Sequence, residues 1–99
     1  MAEELLPPIH PGEILLEEYM KPLGLSANAL SNRLGVTAAR VNEIVNGKRG
    51  ITADTALRLA RFFRTTPEFW LNLQKNYELE VAKREVGARI LEEISPLAA

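Results

Sequence analysis

The chain has 99 residues, of which 46% are hydrophobic and 25% charged, and its formal net charge at pH 7 is −1. This length suits a single domain with a small core. No apolar run is long enough to cross a membrane, and there is no cysteine to form a disulfide or bind zinc. The N-terminus carries Glu3 and Glu4 where a signal peptide would carry basic residues, so we expect a cytoplasmic protein.

The apolar pattern predicts an all-helical chain, because no segment alternates with period two over the length of a strand. Residues 1–9 include two adjacent prolines and are expected to be extended. A first helix should begin after His10, since Pro11 suits a first helical turn. We expect it to run to about Met20 and to be ended by Pro22.

Two short amphipathic helices follow, joined by a tight turn. Ser26 and Thr37 are the expected caps of the first and second helix. Gly35 directly follows the last apolar residue of the first helix, where a left-handed backbone is needed. The residues expected to be buried are Leu30, Leu34, Val41, Ile44 and Val45. Helix, glycine-containing turn and helix is the spacing of a DNA-binding helix-turn-helix.

Residues 46–50 form a turn-rich, basic loop, and Thr52 should cap a fourth helix. The buried face of that helix is expected to comprise Ala56, Leu57, Leu59, Ala60 and Phe63. Its outward face is expected to carry Arg58, Arg61 and Arg64. A fifth helix should start at Thr66 and continue as an apolar stripe to Ile94, with a break or kink allowed at Gly87.

Charge is divided unevenly along the chain. Residues 1–24 sum to −4, residues 25–65 to +5 and residues 66–99 to −2. The basic block coincides with the helix-turn-helix, and a duplex-binding surface has to neutralise phosphates. Arginines that merely cover solvated helix faces are the alternative explanation.

The second helix of the pair should enter the major groove. Successive residues of a helix are rotated by about 100°, so the positions opposite the buried Val41 and Ile44 should face outward. The residues expected to read base edges are Thr37, Ala38, Ala39, Asn42 and Glu43. The residues expected to contact the DNA backbone are Arg33, Arg40, Asn46, Lys48 and Arg49. An ordinary helical hairpin with a solvated outer face is the alternative.

The sequence offers little for catalysis or metal binding. His10 is the only histidine and has no ligand at metal-binding spacing. The glutamates of the first helix lack the facing arrangement in a pocket that paired acid–base chemistry needs. We expect neither an enzyme nor a bound cofactor or metal.

A single helix-turn-helix reads only a few base pairs, so a two-fold dimer is expected. The later part of the apolar stripe on the fifth helix is expected to form the dimer contact, because it lies beyond the compact core. Trp70 and Tyr77 suit either the core or an interface. The residues expected at the dimer contact are Trp70, Tyr77, Leu79, Val86 and Ile90.

Four segments resemble a known family: HPGEILLEEYMKPLGLS at 10–26, LGV at 34–36, NGKRGITADTALRLARFF at 46–63 and FWLNLQKNYEL at 69–79. They are similar to HigA-type antitoxins, also described as virulence-associated protein I, within the Xre/Cro helix-turn-helix superfamily. The resemblance implies a single lambda-repressor-like domain of five to six helices, compact over residues 10–79. Residues 80–99 lie beyond the shared pattern and are expected to form a C-terminal helix. Ser31, where the superfamily prefers Ala, and Glu78, where Asp is commoner, depart from the family pattern.

The resemblance also implies partners: a DNA operator that the protein represses, and an RNA-cleaving toxin of the RelE-like class that it neutralises. A toxin that binds RNA should be basic, so the acidic residues of the first helix are its expected contacts. These are Glu13, Glu17 and Glu18, together with Glu3 and Glu4. Some relatives are stand-alone regulators without a toxin, and a protein-interaction module that does not touch DNA is a further alternative.

Overall fold

The structure, a computed structural model, describes residues 6–98, so the expectations for Glu3 and Glu4 lie outside the described residues. Within that part of the chain there are five helices and no strand. Residues 11–23 form α1, and the other four helices are α2 (Ala27–Leu34), α3 (Ala38–Val45), α4 (Ala53–Phe63) and α5 (Pro67–Glu93). The predicted all-helical, helix-turn-helix fold class is confirmed.

The helices begin where the sequence places capping hydroxyls. Four side-chain hydroxyls each accept a hydrogen bond from the backbone N–H three residues later in the chain, at 3.0–3.3 Å. They belong to Ser26, Thr37, Thr52 and Thr66. Such a cap stabilises a helix by about 1 kcal/mol because it satisfies an otherwise unpaired amide. Between α2 and α3, Gly35 has a φ of 72°, and its N–H donates to the Ser31 carbonyl. The predicted caps and turn are therefore present.

The first helix is longer than predicted. The Lys21 N–H donates to the carbonyl of Leu16, five residues back, which is a π-helical bond. Pro22 lies inside the last turn, and the helix ends at Gly24, whose φ is 66°. The prediction that Pro22 ends the helix is wrong, and we attribute its accommodation to the widened turn before it. The consecutive segments of α1 are Pro11–Ile14 (α), Leu15–Met20 (π) and Lys21–Leu23 (α).

One core collects side chains from every helix and from the loop before α4. Its buried apolar residues are Leu15, Met20, Leu30, Leu34, Val41, Ile44, Ile51, Ala56, Leu59, Ala60 and Trp70. The Tyr19 ring packs against the rings of Phe63 and Trp70, with both centroid separations at 5.0 Å. This aromatic cluster joins α1 to α4 and α5.

Four predicted positions differ from the structure. Leu57 is 60% exposed, because α4 directs Ala56, Leu59 and Ala60 inward and leaves Leu57 outside. Val45 and Phe63 are only half-buried. Trp70 is wholly buried, and its indole N–H donates to the Thr65 hydroxyl at 2.8 Å. The prediction that Trp70 lies at a dimer contact is therefore wrong, because its side chain is enclosed within its own protomer.

The 27-residue α5 is unbroken through Gly87 and is about 40 Å long. Its first half is anchored in the core by Trp70 and Gln74, while its second half carries exposed apolar residues. The predicted division between residues 79 and 80 thus falls inside one helix. Among residues 6–98, no helix has a stretch both long and apolar enough to cross a bilayer.

Candidate DNA-binding surface

The predicted base-reading residues share the outer side of α3. Thr37, Ala39 and Asn42 are exposed, whereas Ala38 and Glu43 are half-buried. On the opposite side, Val41 and Ile44 are each 1% exposed and hold α3 to the core. The Thr37 hydroxyl also accepts the Arg40 N–H at 3.1 Å, so it is partly occupied as the α3 cap.

The backbone of α1 supports α3 from behind. A Cβ atom on Gly12 would lie 1.8 Å from the Ile44 carbonyl oxygen, so only glycine allows this approach. His10 caps α1, since its Nδ1 accepts the Gly12 N–H at 2.9 Å, and its ring lies edge-on to Tyr77. Burial lowers the pKa of His10 below its ordinary value. The close approach at Gly12 positions the end of α3 by backbone contact with α1.

A chain of three charged side chains ties α3 to α4 and α2. Asp54 Oδ1 accepts from Arg58 Nε at 2.7 Å and from Arg40 Nη1 at 3.1 Å. Arg58 Nη1 also donates to the Leu34 carbonyl at 2.9 Å, at the end of α2. The hydrogen bonds from Arg58 and then Arg40 lower the pKa of Asp54. Arg40, predicted to contact phosphate, is thus held by an ion pair within the protomer.

The basic loop folds back on the end of α3. The Lys48 N–H donates to the Glu43 carbonyl at 2.8 Å, and the Asn46 N–H donates to the Asn42 carbonyl at 3.0 Å. The Arg49 guanidinium pairs with the Glu43 carboxylate at 2.7 Å. Asn46, Lys48 and Arg49 are all exposed. The structure therefore brings these three predicted backbone contacts beside the predicted base-reading residues.

The far end of the loop is fixed by Gln74 of α5, which the sequence analysis did not identify. Gln74 is 9% exposed, and its Oε1 accepts the Ile51 N–H at 2.8 Å. Its Nε2 donates to Glu78 Oε2 at 2.7 Å, so the family departure at Glu78 takes part in this contact. A Cβ on Gly50 would lie 2.8 Å from Gln74 Nε2, so the loop backbone packs directly on the amide. The sequence feature that could have identified Gln74 is the position of this polar residue one helical turn after Trp70.

Arg33 lies away from the loop. Its guanidinium is 5.7 Å from the centroid of the Phe62 ring, in a groove between α2 and α4. The structure therefore does not bring Arg33 together with the loop cations predicted to contact the same DNA backbone.

The acidic residues predicted for toxin contact are exposed along α1: Glu13, Glu17 and Glu18. Glu17 pairs with Lys21 at 2.8 Å. Within residues 6–98, no three His, Asp or Glu side chains are grouped where they could hold a metal ion.

The remaining dimer candidates lie along α5. Leu79 is 52% exposed and Ile90 45% exposed, while Val86 is half-buried. Tyr77 is half-buried against His10, with 4.8 Å between ring centroids. A shallow groove of about 230 Å³ runs along this apolar side of α5.

Known proteins share both sequence and fold with this chain. The helix-turn-helix family matches residues 16–70. Virulence-associated protein I of Dichelobacter nodosus is 58% identical over 80 residues, which cover 81% of this chain and 74% of that protein. An addiction module antidote protein of the HigA family from Coxiella burnetii has a TM-score of 0.89 at 53% identity, covering 93% of this chain and 100% of that one. Pseudomonas aeruginosa antitoxin HigA, solved with the higBA promoter, has a TM-score of 0.90 at 48% identity, covering 92% and 99%.

The helix-turn-helix antitoxin family is a non-enzymatic class of DNA-binding regulators. The likeness extends over the capped helix pair, the loop after it and the long last helix. The chain therefore belongs to the helix-turn-helix family and, within it, to the HigA antitoxins.

Proposed function

We propose that this protein is a dimeric autorepressor that inserts α3 into the major groove of its own operator. The observation that carries the proposal is the exposed side of α3, with Asn42 at its centre, beside a loop bearing Lys48 and Arg49. The P. aeruginosa relative, which shares this fold and was solved with the higBA promoter, supports promoter binding by this chain. Since an operator lies in the cell's own DNA, we place this activity in the cytoplasm.

We expect the outward-facing polar and small residues of α3 to contact the base edges. The Asn42 amide can pair with adenine through two hydrogen bonds, and Ala39 or the Thr37 methyl can pack on a thymine methyl. Ala38 lies next to them. Glu43 can accept from cytosine only by releasing Arg49, and an exposed ion pair of this kind contributes at most about 1 kcal/mol. Asn42 is therefore the residue we expect to contribute most to specificity.

Asn42→Ala tests this assignment, with the exposed Asn72→Ala on α5 as its matched control. Loss of a base contact should cost about 1–3 kcal/mol on the operator and relax the preference at one base pair in each half-site. Fluorescence anisotropy with operator and random duplexes measures both effects. If Asn42→Ala weakens the two duplexes equally, Asn42 does not read bases.

Lys48 and Arg49 should contact phosphate, because they are exposed cations at the end of the recognition helix. Replacing both by alanine should weaken binding to every sequence and reduce the slope of log K against log salt by up to about two units. The matched control is the double alanine variant of Lys75 and Arg89, which removes the same charge from α5. A slope equal to that of the control would place the loop outside the interface.

For the dimer, we propose that two copies of α5 meet along the apolar side that carries Leu79, Val86 and Ile90. Exposed apolar patches of this kind mark interaction sites, and the two α3 helices should then fit half-sites roughly 34 Å apart. Ile90→Asp should give a monomer by light scattering, whereas Ala88→Asp on another side of the helix should not. A dimer that survives Ile90→Asp would exclude this contact.

We also propose that a basic, RNA-cleaving toxin docks on the exposed carboxylates of α1, Glu13, Glu17 and Glu18. Complementary charge would raise its association rate more than its equilibrium affinity. Replacing the three by Gln should slow association at low salt, while the same change at Glu85, Glu92 and Glu93 should not. Equal rates would refute this docking site, and the absence of any basic reading frame beside the gene would favour a stand-alone regulator.

A further inference from the structure

A second positively charged surface lies between α2 and α4, apart from the residues proposed to bind DNA. It is an open groove of about 780 Å³. It is lined by four arginines, Arg33, Arg58, Arg61 and Arg64, here called its rim, and by the apolar residues Leu57 and Phe62, here called its floor. We call it the arginine groove. Neither Asn42 nor any residue of the 46–50 loop lines it.

The four arginines differ in what already holds them. Arg58 is committed to Asp54 and to the end of α2, and the Arg33 guanidinium lies 5.7 Å from the Phe62 ring centroid. Arg61 and Arg64 are exposed and make no ion pair with any residue of the 6–98 region. An arginine fork binds a carboxylate through two parallel hydrogen bonds. The groove therefore has two cations available for an acidic ligand.

The groove also has apolar lining residues. Leu57 is 60% exposed although it lies in the middle of α4, a helix whose other large apolar residues contact the core. Phe62 is half-buried beside it. Contact with phosphate gains nothing from an exposed leucine, whereas an apolar side chain of a protein ligand would cover it. The apolar floor and the cationic rim together favour a protein ligand over a nucleic-acid ligand.

We propose that the arginine groove binds an acidic amphipathic helix of a partner protein, with an apolar side chain on Leu57 and carboxylates on Arg61 and Arg64. A groove between helices that receives one face of a helix is a common mode of peptide recognition. Carboxylates one turn apart on such a helix are about 5–6 Å from each other and can reach neighbouring arginines. The partner is acidic, so it differs from the basic toxin proposed for α1.

The probe is a short alanine-based helical peptide, labelled with fluorescein, that carries Leu and Phe between glutamates. Binding is measured by anisotropy and mapped by amide chemical shifts in the full chain. The double variant Arg61→Gln, Arg64→Asn should weaken binding by about tenfold, since each exposed charge contact contributes a few-fold. Asn is used at position 64 because Arg64 has a φ of 61°. The matched control is Lys48→Gln, Arg49→Gln.

Leu57→Ser keeps every charge and tests the floor, and we expect it to weaken peptide binding several-fold. Unchanged affinity in Leu57→Ser would reduce the groove to a nonspecific anion site and overturn the proposal. Equal weakening by the loop control, or amide shifts confined to residues 37–49, would also overturn it. So would a random duplex whose binding shifts the groove amides. Since operator binding depends on Asn42 instead, either proposal can fail without the other.

Discussion

Replacing Gln74 by leucine removes one hydrogen-bond acceptor from the interior and leaves the side-chain volume nearly unchanged. The Ile51 N–H would lose its 2.8 Å bond at a site where Gln74 is 9% exposed and water has little access. An unsatisfied buried donor costs about 1–3 kcal/mol. Glu78, the other partner, is exposed and can be hydrated instead, so it should add little. We therefore expect a loss of about 1–3 kcal/mol.

Urea denaturation at a fixed protein concentration measures this loss as a lower midpoint with an unchanged m value. For a domain of this size the melting temperature should fall by about 4–8 °C for each kcal/mol. Lys75→Leu is the control, since it puts the same side chain on an exposed neighbouring position. A Gln74→Leu midpoint within error of the control would refute the view that this amide holds the loop.

Two further predictions concern the first helix. Gly12→Ala should destabilise the protein by about 3 kcal/mol, the upper end for overpacking, because the new methyl would overlap the Ile44 carbonyl. A urea midpoint within error of the wild type would contradict the close approach. The lowered pKa of His10 means that the unfolded chain binds a proton more readily than the folded one, so stability should fall as pH drops below about 6.5 and through the folded-state pKa. His10→Asn keeps a capping acceptor without titrating, and urea midpoints at about pH 7.5 and 5.5 should differ less in that variant than in the wild type.

Local chemistry explains which parts of the fold could be predicted. The caps at Ser26, Thr37, Thr52 and Thr66 each depend on a hydroxyl and an amide three residues apart, so the sequence contains both partners. The left-handed turn at Gly35 is likewise a property of one residue and its neighbours. The prediction that Pro22 ends the first helix failed because a π-helical segment precedes this proline, and no sequence pattern predicts such a segment.

The residues that hold the proposed DNA-binding surface in place were missed because their partners are distant in sequence. Arg58 bonds a carbonyl 24 residues away, and Gln74 bonds an amide 23 residues away. Only the Asp54–Arg58 and Gln74–Glu78 pairs, each one helical turn apart, could have been anticipated. Leu57 and Trp70 were misplaced for a related reason: helical periodicity gives a side chain's direction but not which direction another helix covers.

Trp70 is the only tryptophan of the chain, and its enclosure gives the protein a built-in optical signal. Its indole lies in an apolar site with Tyr19 5.0 Å away between ring centroids, close enough for tyrosine to pass on absorbed light. Emission should therefore be blue-shifted in the native state and move to longer wavelength when urea opens the core. Because Trp70 does not reach the outer side of α3, adding unlabelled duplex should leave that wavelength in place. Trp70 emission can then report unfolding while the anisotropy of a fluorescein-labelled duplex reports DNA binding, without attaching a dye to the protein.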